Sequence, residues 1–243
     1  RIEHPQPIID KAQYQCNVRS KYLPAASYKF VQQVNGKGVF SFCMCPGGHI
    51  VPSATAREEV VVNGMSASTR SSRYANSGMV VAIEQEDLIK YNKYGELAGL
   101  VFQQEMEKMA WEAGGKTQAA PAQRMVDFTN GKLSKTLNDC SYIPGINSAP
   151  LHELLPSMIS NRLQEGFKTF GRKMKGYFTN EANILGVESR TSSPVRIPRD
   201  ELLLSHPQIK NLYPCGEGAG YAGGIVSAAI DGERCAEAIQ KAL

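Results

Sequence analysis

Gly216-Glu217-Gly218-Ala219-Gly220-Tyr221-Ala222-Gly223-Gly224-Ile225 is the stretch on which the reading of this chain turns. Gly218, Gly220 and Gly223 satisfy the G-x-G-x-x-G spacing of dinucleotide-binding turns. Asn211 to Cys215 before it reads as a short strand, and Ala222 to about Ala242 after it reads as a helix. The position is unusual. The fingerprint ordinarily opens a βαβ unit, with an acidic residue about 20 residues later on a second strand. Here the sequence ends 20 residues after Gly223 (243 minus 223), and the helix uses them all. The strand–turn–helix therefore reads as the last unit of a sheet. Its physics still favours a ligand: glycines let another group approach the backbone, and the N–H groups of Gly223, Gly224 and Ile225 at a helix start attract an anion or a carbonyl. Glu217 is placed to accept hydrogen bonds from the hydroxyls of a polyol or ribose. The alternative is a glycine-rich connection that binds nothing.

Outward from this turn, the preceding chain divides in two. Residues 1–83 are β-rich. Tyr28 to Val34 and Val39 to Cys43 flank Asn35-Gly36-Lys37-Gly38, a hairpin signal. Glu59 to Val62 and Met79 to Ile83 read as further strands, joined by a polar loop from Asn63 to Gly78. Residues 84–180 are helical. Leu97, Leu100, Val101, Met106, Met109 and Ala110 recur at helical spacing, and Gly114-Gly115 ends the run. Leu151, Leu154, Leu155, Met158, Ile159, Leu163, Phe167, Phe170 and Met174 form a longer stripe, with Pro156 in its first turn or starting a new helix. Residues 181–243 return to short strands, at Asn183 to Val187, Ser193 to Ile197 and Asn211 to Cys215, before the last helix.

Composition excludes several classes. Lys+Arg 27 against Asp+Glu 23 leaves +4, too mild a surplus to imply nucleic acid or an anionic membrane. Apolar residues are 42% of the chain, yet no run approaches a bilayer span. Arg1-Ile2-Glu3-His4-Pro5 shows neither a signal peptide nor an initiator Met, as expected of a processed chain or a fragment. Six scattered cysteines in a chain able to bury a core point to reduced thiols and a cytoplasmic protein.

Tyr213 to Ile225, followed by Ser227-Ala228-Ala229 and Asp231-Gly232, resembles the C-terminal flavin motif of FAD-dependent oxidoreductases of the glutathione-reductase-like superfamily. Within it the chain is similar to the bacterial "FAD-utilizing dehydrogenase" family. Gly38 to Gly48, Val62 to Val81, Ala120 to Phe128 and Gly186 to Ile197 extend the likeness over nearly the whole chain. The resemblance implies an α/β protein with α+β character in an inserted substrate-type domain, residues 1–180, and a closing segment of the FAD-binding domain, residues 181–243. It implies FAD as cofactor. Glu217 would bind ribityl or ribose hydroxyls, and the backbone around Gly218, Gly220, Gly223, Gly224 and Ile225 would stabilise reduced flavin at its N1/O2 edge. Residues 1–60 carry no strand–GxGxxG–helix. The expectation is therefore the C-terminal part of a longer flavoprotein, inactive alone, whose partner is an N-terminal Rossmann half and whose substrate is a small organic molecule taking or giving a hydride. Two other functions stay open: a non-catalytic recognition module, and an RNA-modifying flavoprotein relative.

Three further groups complete the candidates. Cys43-Met44-Cys45-Pro46-Gly47-Gly48-His49 places two thiols on one face of a strand end. They read as redox or nucleophilic groups with a thiol pKa lowered by His49, as a weak metal motif without a fourth ligand, or as small core residues. Arg70 and Arg73, among Ser66, Ser68, Thr69, Ser71, Ser72 and Asn76, suit a substrate carboxylate or phosphate, or form a solvated loop. Glu188 and Arg190 carry the same alternatives, with Arg190 joined to Cys43 and Cys45 as a catalytic candidate. Lys168, Arg172, Lys173 and Lys175 read as the wet side of a helix, contacting phosphate only if aromatic groups or more charge join them.

Overall fold

The computed structural model describes residues 1–242. Two compact units form. One holds Arg1–Asp87 with Glu105–Ser189, the other Leu88–Gln104 with the chain from Arg190 onward.

The first unit is built on a seven-stranded mixed sheet in the order β2-β3-β6-β1-β9-β7-β8. Its strands are β1 (Ile2–Pro5), β2 (Val31–Val34), β3 (Lys37–Cys45), β6 (Tyr74–Val81), β7 (Ala120–Arg124), β8 (Ile146–Ser148) and β9 (Asn183–Leu185). All neighbours run antiparallel except β7 and β8. The β2–β3 hairpin closes on Asn35 and Gly36, both at positive φ, the two-residue turn whose twist matches that of the strands. A separate ribbon pairs β4 (His49–Pro52) with β5 (Val62–Met65).

One face of the sheet carries α1 (Gln6–Tyr14), α3 (Met125–Thr129), α4 (Leu151–Leu154) and α5 (Ser157–Lys173). Leu163, Phe167 and Phe170 of α5 enter a core with Ile2, Ile9, Phe128 and Tyr177. Phe30 stacks on Phe170 at 4.8 Å. Pro156 stands just outside α5 and separates it from α4. A second core forms from Ile50, Val60, Val62, Ala110, Tyr142, Leu185 and Val187.

The second unit contains α6 (Ile225–Ala242) and the N-terminal part of α2 (Ala98–Ala113). Among its described residues no strand forms. The extended segments expected at Ser193 to Ile197 and Asn211 to Cys215 are irregular. Local β preference makes no ladder without a partner strand. The loop expected from Asn63 to Gly78 is shorter than its composition suggests, since β5 and β6 occupy its ends. The strand expected at Glu59 begins later, at Val62.

Candidate functional site

In the second unit, the glycine turn is braced from one side and open on the other. Arg199 donates to Asp231 through Nη1 at 3.0 Å and Nη2 at 2.6 Å, and to the Pro214 carbonyl at 2.8 Å. The Gly216 N–H donates to the same Asp231 carboxylate at 2.8 Å, so one part-buried ion pair ties the start of the turn to α6. The Arg199 guanidinium beside Asp231 holds its carboxyl below the usual range. Tyr221 packs under Arg199 and Arg196, at 3.6 and 4.4 Å from its ring centre, and donates to the Ile197 carbonyl. Gly220 sits at φ +84°, and a Cβ there would meet the Val195 carbonyl oxygen at 2.8 Å. No other residue fits that position without displacement.

The opposite side is bare. A Cβ added at Gly216, Gly218 or Gly223 would meet nothing within 4 Å. Glu217 is exposed, and Ile225, the first residue of α6, is 91% exposed. The Gly224 N–H donates to Ser227 Oγ at 3.1 Å. Glu217, Gly218, Gly220, Gly223, Gly224 and Ile225 are thus brought into one turn. Its shape suits the cofactor implied by the resemblance: unobstructed backbone at a helix start, an exposed carboxylate beside it, and a part-buried ion pair holding the loop. Arg190 lies half-buried at the start of this unit.

In the first unit, a row of polar residues crosses five central strands in register. Cys45 on β3 pairs with Asn76 on β6, Asn76 with Glu3 on β1, Glu3 with Asn183 on β9, and Asn183 with Arg124 on β7. Arg1 reaches along this row. Its guanidinium donates to Asn76 Oδ1 at 2.7 Å, Glu188 Oε1 at 2.6 Å, the Cys43 carbonyl at 2.6 Å and Cys45 Sγ at 3.2 Å. Gly64 and Gly78 leave room for this pair; a Cβ at either would lie 2.1 Å from Arg1 Nη2 or 2.6 Å from Glu188 Oε2. Among the described residues, Glu188 Oε2 and Asn76 Nδ2 are buried with no hydrogen-bond partner. Glu3 accepts from the Ser141 N–H at 2.8 Å and from the Ser141 hydroxyl. Burial nevertheless pushes its carboxyl up to about 7.

Cys43 and Cys45 do not share a face. The register shifts between Phe42 and Cys45, and Cys43 adopts φ +45°. This bulge breaks the two-residue alternation, so Cys43 is exposed and Cys45 buried. Burial raises the Cys45 thiol above its usual range, with the Arg1 charge acting against it. That direction is opposite to the activation expected from His49. Arg70 and Arg73 stand exposed on the 66–73 loop, apart from the buried Glu188 carboxylate. Arg73 lies over the Tyr74 ring and 3.6 Å from Asp139. The sequence reading places Asn76 in the polar loop and Asp231 in the motif without giving either this role, and it assigns nothing to Arg1, Glu3 or Arg199. For Asp231 the adjoining Asp231-Gly232 was a signal; for the row there was none, because its members lie up to about 180 positions apart. Among the described residues no group of three His, Cys, Asp or Glu side chains is placed to hold a metal. No helix is long and apolar enough to cross a membrane.

A mixed α/β sheet domain followed by a glycine turn and helix is the class that this fold and site define. Comparison with known proteins makes it specific. Residues 1–191 match the family described as "FAD-dependent protein, C-terminal domain-like". The chain is also 42% identical over 243 residues to an uncharacterized protein of Clostridium beijerinckii, covering 98% of this chain and 45% of that protein. This chain belongs to the FAD-dependent protein C-terminal domain-like family, and it spans less than half the length of that relative. The family match ends before the glycine turn.

Proposed function

We propose that this chain is the C-terminal part of an FAD-dependent oxidoreductase that moves a hydride between a small organic substrate and FAD. The observation that carries the proposal is the glycine turn with one face bare at the start of an 18-residue helix. When bound, FAD supplies the two-electron acceptor or donor. Glu217 binds its sugar or ribityl hydroxyls. The N–H groups of Gly223 and Ile225, at the positive end of α6, favour negative charge on the pyrimidine edge. The Gly224 N–H joins them once released from Ser227. Asp231 and Arg199 are positioning residues that keep the turn in place.

An N-terminal Rossmann half in the longer protein holds the ADP part of FAD. The first unit supplies substrate recognition. Arg70 and Arg73 meet an anionic group there, and the Arg1–Glu188 pair with Cys45 forms its buried polar wall. Cys43, Cys45 and Arg190 remain the residues proposed to touch the reacting groups.

The test is flavin content. Full-length protein purified under mild conditions is yellow and carries close to one flavin per chain. Glu217→Ala and Gly223→Val each lower the bound flavin at least several-fold while leaving the circular dichroism spectrum unchanged. A full-length protein that is colourless and takes up no added FAD would refute the proposal and mark the chain as a recognition module.

A further inference from the structure

A basic cleft in the first unit, remote in sequence from the glycine turn, collects five cations from three segments. Lys11 lies on α1, Lys29 on the strand approach, Arg172 and Lys173 at the end of α5, and Lys175 just beyond it. The cleft holds about 1050 Å³, and none of its lining residues is acidic. Beneath the cations lie Ile8 and the core residues Tyr28, Phe30 and Met174; both ring faces of Phe30 are taken, by Tyr28 at 4.9 Å and by Phe170 at 4.8 Å, so the site offers charge and no stacking platform. Asp10, next to Lys11 in sequence, is taken up by Arg19 at 2.8 Å and does not neutralise the cleft.

The charge is concentrated here. Outside these five residues the chain has 27 minus 5, or 22, Lys and Arg against 23 Asp and Glu. α1 and α5 both end there, and two helix C-termini contribute roughly −0.5 each, so capping accounts for only about one of the five charges. Lys173 donates to the Val31 carbonyl and Arg172 to Thr169. Lys11, Lys29 and Lys175 are exposed at the rim.

We infer that this cleft binds a polyphosphate, its anionic chain held by the rim lysines and Arg172. A cavity of this size suits a ligand of nucleotide size. A nucleic acid strand would need a cationic track beyond the cleft, and the remainder of the chain is slightly acidic.

Isothermal titration of the full-length protein with ATP, inorganic tripolyphosphate and adenosine tests the assignment. A short single-stranded RNA and anionic phospholipid vesicles serve as rival ligands. ATP and tripolyphosphate are both expected to bind saturably, and adenosine, which lacks the anionic chain, not at all. The rim variant Lys11→Glu/Lys29→Glu/Lys175→Glu should weaken ATP at least about tenfold, since each reversal replaces a charge-assisted contact with repulsion. The control Lys108→Glu/Lys116→Glu/Lys135→Glu, of equal net charge and outside the cleft, should leave it within about twofold. Lys11→Ala/Lys175→Ala repeats the test if the triple variant does not fold. The inference is overturned if ATP does not bind, if the rim variants bind it as the control does, or if only RNA or vesicles respond to the rim charges.

Discussion

Glu3 and His4 are adjacent on the central strand, buried on opposite faces, and displaced in opposite directions by the same cause. Burial raises Glu3 from an ordinary 4.5 to about 7, and lowers His4 from 6.5 to about 4. Between pH 4.5 and 7 the folded protein keeps a proton on Glu3 that the unfolded chain has released. Stability from this group is full below pH 4.5 and is lost as pH rises through 7. Between pH 4 and 6.5 the unfolded chain binds a proton at His4 that the folded protein refuses. Stability from this group is full above pH 6.5 and is lost as pH falls through 4. At about 1.4 kcal/mol per tenfold, each displacement corresponds to about 3 kcal/mol. The two slopes cancel over most of the range, so the wild type is expected to be nearly flat between pH 4.5 and 6.5.

Single substitutions separate them. Glu3→Gln keeps an acceptor for Ser141 and leaves the His4 slope, so stability should climb by about 3 kcal/mol from pH 4 to 6.5. His4→Gln keeps a donor for the Tyr177 carbonyl, which the His4 ring meets at 2.8 Å. It leaves the Glu3 slope, so stability should fall by a similar amount from pH 4.5 to 7. Urea unfolding followed by tryptophan fluorescence and circular dichroism across pH 4 to 8 reads the slopes directly. Absolute losses from the substitutions do not matter to the test. Three parallel pH profiles would show that neither group titrates with folding, and the reasoning would fail.

Asp231→Asn should free the glycine turn. Breaking this part-buried bidentate pair should cost about 1 kcal/mol, and proteolytic cleavage between residues 210 and 224 should accelerate while the first unit stays resistant. Gly220→Ala forces a side chain against the Val195 carbonyl at positive φ; a loss of at least about 1 kcal/mol and lower flavin content are expected, measured by thermal unfolding and absorbance. Thiol titration with a disulfide reagent should modify exposed Cys43 and Cys215 first, with Cys45 and Cys235 reacting only on unfolding; early loss of Cys45 by mass mapping would contradict its burial.

The elements that local chemistry dictates were legible in the chain. The α5 stripe faces the core, Asn35-Gly36 closes its hairpin, and the last helix forms, though from Ile225 and not from Ala222. What escaped was set by partners far away. Ile2-Glu3-His4-Pro5 has little β character, yet it is a central strand, where Ser141 donates to Glu3, the Tyr177 carbonyl meets His4 Nε2 and Asn76 accepts from the neighbouring Arg1. Polar groups inside a sheet are tolerable only with such partners, and nothing local announces them. The same holds for the bulge that separates Cys43 from Cys45, and for the convergence of Lys11, Lys29 and Lys175. Ser193 to Ile197 and Asn211 to Cys215 show the converse. Periodicity and turn residues alone determined that hairpin, stripe and terminal helix form; only the tertiary structure decided which polar residues share a buried row and which extended segments find a ladder, because both depend on groups distant in sequence meeting in space.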